Sequence, residues 1–377
     1  MFREIALLVA AGLVGPVTAI WRRGLLPIVL GELAAGALIG DTGLRLINPK
    51  ASAFPIFYSL GFAMLMLTAG THVDVRSRAI RTGAARGALA LLVVFVAAVP
   101  LGLLIGYGLG VGHQFLLIVL LAGSSAAVAF PIMEERGLSG SEVAHLTAWI
   151  ALADTVTVVL MPLSVTGSGK LVPALAGDVA MITAGVLIAV ITIRVGSRPL
   201  VQESIEQSQR KGWALQLRLS VLLLLVLGTI AETTGASILV AGFVTGMVLI
   251  RLGPPDRLNL QISGLANGFF VPIFFVLLGA ELDLRALVTD PRAIAFAVAM
   301  AVAAVIVHEV AALATCVKQR VATGLAASAQ LGLPAAAAGL AIANHLLSPA
   351  IAAALVAAGC LTLAPATIGA ARLQSDS

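Results

Sequence analysis

Asp154 stands alone as a carboxylate near the middle of a long apolar run, from Ala144 to Val165. An acid at the centre of a membrane-spanning helix costs about 2.5–3.5 kcal/mol on an insertion scale, so such acids usually face a cavity or a partner. Desolvation works against the bare charge. A carboxylate held there binds something positive: a proton, a metal cation or a fixed basic side chain. Thr155 and Thr157 flank it and could add oxygen ligands, although a helical Thr more often bonds its own preceding carbonyl. Other candidates lie elsewhere in apolar runs. Ser124 and Ser125 precede Pro131; Ser328 and Gln330 precede Pro334. Glu32, His308 and Glu309 are possible second titratable or pairing groups. Glu134, Glu135 and Arg136 read as a solvated helix end.

The chain that positions these groups is 60% hydrophobic and 11% charged over 377 residues, with a mean hydropathy of +1.07. Soluble domains carry about 25% charged residues, so the composition predicts an all-α membrane protein. Long continuous apolar runs argue against a membrane barrel, whose strands alternate. Apolar runs and their breakers predict about 13 spans, near residues 5–20, 26–44, 54–72, 84–111, 114–134, 141–166, 172–194, 213–231, 235–251, 262–282, 291–316, 321–346 and 349–370. Arg22-Arg23 after the first run points to a retained helix rather than a cleaved leader. With the N-terminus outside and the C-terminus cytoplasmic, seventeen of the 23 basic residues fall on the inner side. That bias is the positive-inside signature of a multi-pass cell-membrane protein.

Several features narrow the function. The net charge of +5 is explained by inner loops and implies no nucleic-acid partner. Cys316 and Cys360 read as reduced thiols without disulfide or metal spacing. There is no Gly-rich phosphate loop for an ATP-driven pump, no nucleophile–base pairing for an enzyme, and no resident cofactor is expected. The hydrophilic stretch 196–212 reads as a cytoplasmic linker between a first half (1–195) and a second half (213–377), with no soluble C-terminal domain expected.

Those halves repeat. Gly36 and Gly40 match Gly242 and Gly246, Gly70 to Val75 matches Gly279 to Leu284, and Ser125 with Pro131 matches Ser328 with Pro334, at offsets of about 203–209 residues. The offset is seven spans, an odd number, so the second half enters the membrane in the opposite direction. An inverted-topology repeat is common among secondary transporters, whose sites lie near the midplane at discontinuous helices. Spans 114–134 and 321–346 are the candidates for interruption, because proline removes a donor while Ser and Gln can satisfy the opened backbone. The counterpart of Asp154 is Ala357, which leaves the site symmetric in scaffold and asymmetric in chemistry.

Taken together, Leu30-Gly31-Glu32 through Gly40, Ser124-Ser125 through Gly137, Ala153-Asp154, and Pro272-Ile-Phe-Phe275 through Gly279 resemble the monovalent cation:proton antiporters of the sodium/hydrogen exchanger type. The similarity covers nearly the whole chain and favours the branch that includes potassium-efflux antiporters. The resemblance implies two crossed discontinuous helices, a core bundle moving against a dimerisation bundle, a homodimer, and Asp154 as the transient Na+ or K+ and proton carrier. This sequence departs from that pattern at Ala153, where the family usually has Asn, Asp or Gln. It departs again in span 291–316, which offers His308 and Glu309 where many members carry Lys or Arg. A sodium-coupled symporter of an organic anion, a cation channel and a non-transporting membrane subunit are the alternatives.

Overall fold

A computed structural model describes residues 2–21, 28–49, 54–71, 78–125, 133, 138, 140–165, 171–196, 198–234, 237–252, 256–343 and 346–373. All regular secondary structure among the described residues is helical, with no strand. Two compact units divide the chain: 1–54 with 75–165 and 275–377, and 55–74 with 166–274.

In the first unit, α1 (Phe2–Gly12) and α2 (Val14–Trp21) pack on α3 (Ile28–Ile39). The unit continues with α5 (Arg78–Gly108), α6 (Gln114–Ala122) and α7 (Ser141–Val165), which follow α4 (Phe54–Thr71) of the second unit. The second unit then supplies α8 (Leu171–Gly196), α9 (Pro199–Lys211), α10 (Leu215–Thr234), α11 (Ile238–Leu252) and α12 (Asp256–Leu265). A π-helical turn at Ala266–Phe270 leads into α13 (Val271–Glu281). The first unit closes with α14 (Leu284–Thr289), α15 (Pro291–Ala314), α16 (Arg320–Ala327), α17 (Gly332–Ala343) and α18 (Pro349–Arg372).

Among the described residues, ten helical stretches are long and apolar enough to cross a membrane. Spans 26–44 and 235–251 appear as the shorter apolar helices α3 and α11, and span 114–134 appears as α6 with its continuation outside the described residues. Helix starts follow local chemistry. Asp283 accepts a hydrogen bond from the Ala286 amide at 2.8 Å, and Asp290 accepts from the Arg292 amide at 2.9 Å. Proline occupies the first turn of α9, α15 and α18, where its missing N–H would be unpaired in any case. The hydrophilic stretch 196–212 is mostly the helix α9, ended by Gly212 at φ 70°.

Repeated glycines set the closest helix contacts. In the first unit, a Cβ at Gly36 would collide with the Val276 carbonyl of α13, and one at Gly279 with the Leu33 carbonyl of α3. In the second unit, Gly242 and Gly246 of α11 press in the same way on Ala63 and Leu67 of α4. The glycine pair of each half therefore seats on the helix equivalent to the other's partner. The packing repeats along with the motif.

Candidate functional site

The helix in span 321–346 stops at Ala327 and resumes at Gly332, leaving Ser328 to Leu331 non-helical. Ser328 turns its hydroxyl back to the Leu325 carbonyl at 2.7 Å. Pro334 falls in the first turn of α17, a position that tolerates its missing donor. The helix α6 ends at Ala122, and Gly123 follows in an extended conformation (φ −69°, ψ 151°). Ser124 and Ser125 are both buried. Pro131 and Glu134 to Arg136 lie outside the described residues.

The two helix ends are tied together. Ser124 Oγ donates to the Ala327 carbonyl at 2.6 Å. Gln330 Nε2 donates to the Leu121 carbonyl at 3.3 Å and to the Gly123 carbonyl at 3.0 Å. Thr362 of α18 closes the other side: its Oγ1 accepts from the Gln330 amide at 3.0 Å and approaches the Gln330 carbonyl at 3.3 Å. Backbone groups freed by an interruption inside a bilayer need such internal partners, because no water is there to satisfy them. Ser124 and Ala327 are 203 residues apart, the same offset that relates Ser125 to Ser328. Thr362 has no counterpart hydroxyl, since Val159 stands at the equivalent position, and nothing in the sequence singled it out.

Asp154 projects from α7 and is half-buried. This helix packs against α5, α6 and both half-helices α16 and α17. Its neighbour Ala153 is fully buried. Thr155 Oγ1 donates to the Ala151 carbonyl at 2.7 Å and Thr157 Oγ1 to the Ala153 carbonyl at 2.6 Å, so both hydroxyls back-bond within their own helix. Thr157 is wholly buried, whereas Thr155 is half-buried like Asp154.

The remaining candidates are held elsewhere. Glu32 is buried against α2, where a Cβ on Gly15 would sit 2.8 Å from its Cγ. Glu309 lies against Gly324 of the half-helix α16, with its Oε1 lacking a hydrogen-bond partner. His308 is fully buried; its Nδ1 meets the Ala304 carbonyl at 2.7 Å and its ring stacks on Trp149 at 5.6 Å. Trp149 precedes Asp154 by five residues, which places the two about 140° apart around α7. Helix packing, then, is what His308 visibly does. Trp149 and its neighbour His145, at 6.0 Å, escaped the sequence reading because aromatic residues on an apolar helix carry no distinguishing spacing.

The sequence profile of the family described as "Sodium/hydrogen exchanger, transmembrane" matches residues 6–372. Curated relatives include the "Putative Na(+)/H(+) antiporter YjbQ" of Bacillus subtilis, 27% identical over 70% of this chain and 45% of its own length. The glutathione-regulated potassium-efflux system protein KefC of an Enterobacter species is 27% identical over 77% of this chain and 46% of its own length. The chain thus spans about half the length of these two relatives. Among solved structures, the sodium proton antiporter MjNhaP1 of Methanocaldococcus jannaschii, at pH 8, aligns with a TM-score of 0.63 over 98% of this chain and 96% of its own, at 15% identity. That likeness shows a shared fold. With the profile covering almost every residue, the chain belongs to the sodium/hydrogen exchanger transmembrane family.

Proposed function

We propose that this protein is a secondary antiporter that exchanges Na+ or K+ for H+ by alternating access, with Asp154 as the seat the two occupy in turn. The observation that carries this reading is the position of Asp154, half-buried on a helix packed against both half-helices of the interruption. A proton and a hard monovalent cation compete for one carboxylate, and backbone carbonyls near the interruption can complete an oxygen shell. If the protein switches only with Asp154 neutralised, each crossing carries one ligand and leak is suppressed. The same reading includes 13 spans in an inverted repeat with two crossed discontinuous helices, the N-terminus outside, the C-terminus cytoplasmic, residence in the cell membrane and a homodimer. Relatives named for Na+ and for K+ both match, so either cation fits.

Reconstitution into liposomes with a pH-sensitive dye tests it. Adding Na+ or K+ should move protons through the wild-type protein, choline should not, and Asp154→Asn should abolish the signal while the protein remains folded. Wild-type exchange rates in Asp154→Asn would remove the residue from this role, and cation current without proton countertransport would replace the antiporter with a channel.

A further inference from the structure

Asp178 is a further carboxylate inside an apolar span, and no part of the exchange reading uses it. It sits in the second turn of α8, within the span Leu175–Val195, and is 3% exposed. Neither of its carboxylate oxygens has a hydrogen-bond partner among the described residues. The Ser237 amide just ahead of α11 acts on the carboxylate but falls short of hydrogen-bond geometry. Further along lies an apolar cluster of Met181 from α8, Leu227 and Ala231 from α10, and Val240 and Val244 from α11. Gly185 of α8 meets Val244, each lying seven residues beyond Asp178 and Ser237 respectively, so α8 and α11 run side by side in parallel.

No fixed cation of these helices answers the charge. The charged groups they carry in the described residues, apart from Asp178, are few. Arg194 is in the last turn of α8, Arg218 in the first turn of α10 and Arg251 in the last turn of α11. At 1.5 Å per residue, each stands about 20 Å or more along its helix from the Asp178 end. Arg210 and Lys211 of α9 follow the far end of α8. The charged residue of α10 at the Asp178 end is Glu232, which is exposed and of the same sign. An ionised carboxylate buried without hydrogen bonds or a counter-ion is strongly disfavoured.

We infer that Asp178 is a second seat for a small positive ion, a proton or an alkali cation, buried where α8, α10 and α11 meet and separate from Asp154. Occupancy of the seat removes the bare charge from the apolar contact and so holds the three helices together. The inference stands whether or not Asp154 carries exchange.

Thermal unfolding of the purified full-length chain tests it, with Asp154→Asn in every sample so that the first carboxylate makes no contribution. Samples with Asp178 and with Asp178→Asn are compared across pH in choline chloride, and then at fixed pH in LiCl, NaCl, KCl or choline chloride. If a proton fills the seat, Tm with Asp178 falls as pH rises, by about 2–4 °C more than in Asp178→Asn. If an alkali cation fills it, Tm with Asp178 rises on adding that salt and Asp178→Asn does not respond. Identical responses in both proteins overturn the inference. Should Asp178→Asn fail to fold, Asp178→Leu takes its place: a folded protein lacking the ion response supports the seat, and an unchanged response overturns it. Failure of both variants to fold makes the carboxylate a structural requirement of the fold and also overturns it.

Discussion

Thr157 shows how little sequence proximity says about a ligand. It lies three residues from Asp154, but its hydroxyl is wholly buried and donates to the Ala153 carbonyl at 2.6 Å. Thr157→Val, which keeps the shape and removes that donor, should therefore leave the apparent cation KM of exchange close to wild type. A large rise in KM, read from the cation dependence of the dye signal, would return Thr157 to the ligand set. Gln330 is the opposite case. Its amide nitrogen reaches two carbonyls at the end of α6, so Gln330→Leu takes the side-chain donor from both acceptors. The expected cost is about 1–3 kcal/mol for each group left unsatisfied, checked by denaturation of the purified protein.

At the scale of elements, the glycines of α3 and α13 allow two backbones to approach within a side chain's width. Close approach through small residues is how helices associate where lipid removes the hydrophobic drive. Gly279→Ala puts a methyl group onto the Leu33 carbonyl, and the helices must part to admit it. The expected loss is about 1–3 kcal/mol. Gly264→Ala, where an added Cβ meets nothing within 4 Å, is the matched control and should be neutral or slightly stabilising. Equal effects from the two substitutions would mean that the close contact does not hold α3 and α13 together.

For the whole molecule, the proposed topology puts α9 and its flanks on the cytoplasmic side. A single cysteine at the exposed Glu206, in a chain with Cys316→Ser and Cys360→Ala, should react with a membrane-impermeant maleimide only after cells are permeabilised. A cysteine at the exposed Val288 should react in intact cells. The reverse pattern would invert the topology and with it the inner and outer sides of the exchange cycle. The compact units draw on both halves of the chain, with 275–377 joining 1–54 and 75–165 in one of them. Division by sequence repeat and division by packing are thus different partitions of the same helices.

The sequence by itself determined the class, the family and the helix interruption. Mean hydropathy reports the free energy of moving each segment into lipid, which is a local property, and Ser328, Gln330 and Pro334 announce a local failure of the helix. It also marked the carboxylate at position 154 in its apolar run, on which the proposed site rests. Tertiary structure alone decided which groups answer one another: Ser124 with Ala327, Gln330 with Thr362, His308 with Trp149, and Asp178 with no hydrogen-bond partner among the described residues. Three of those relations join residues far apart in the chain, and the fourth is an absence. Periodicity and composition encode which face of a helix is apolar, but not which distant helix will cover it.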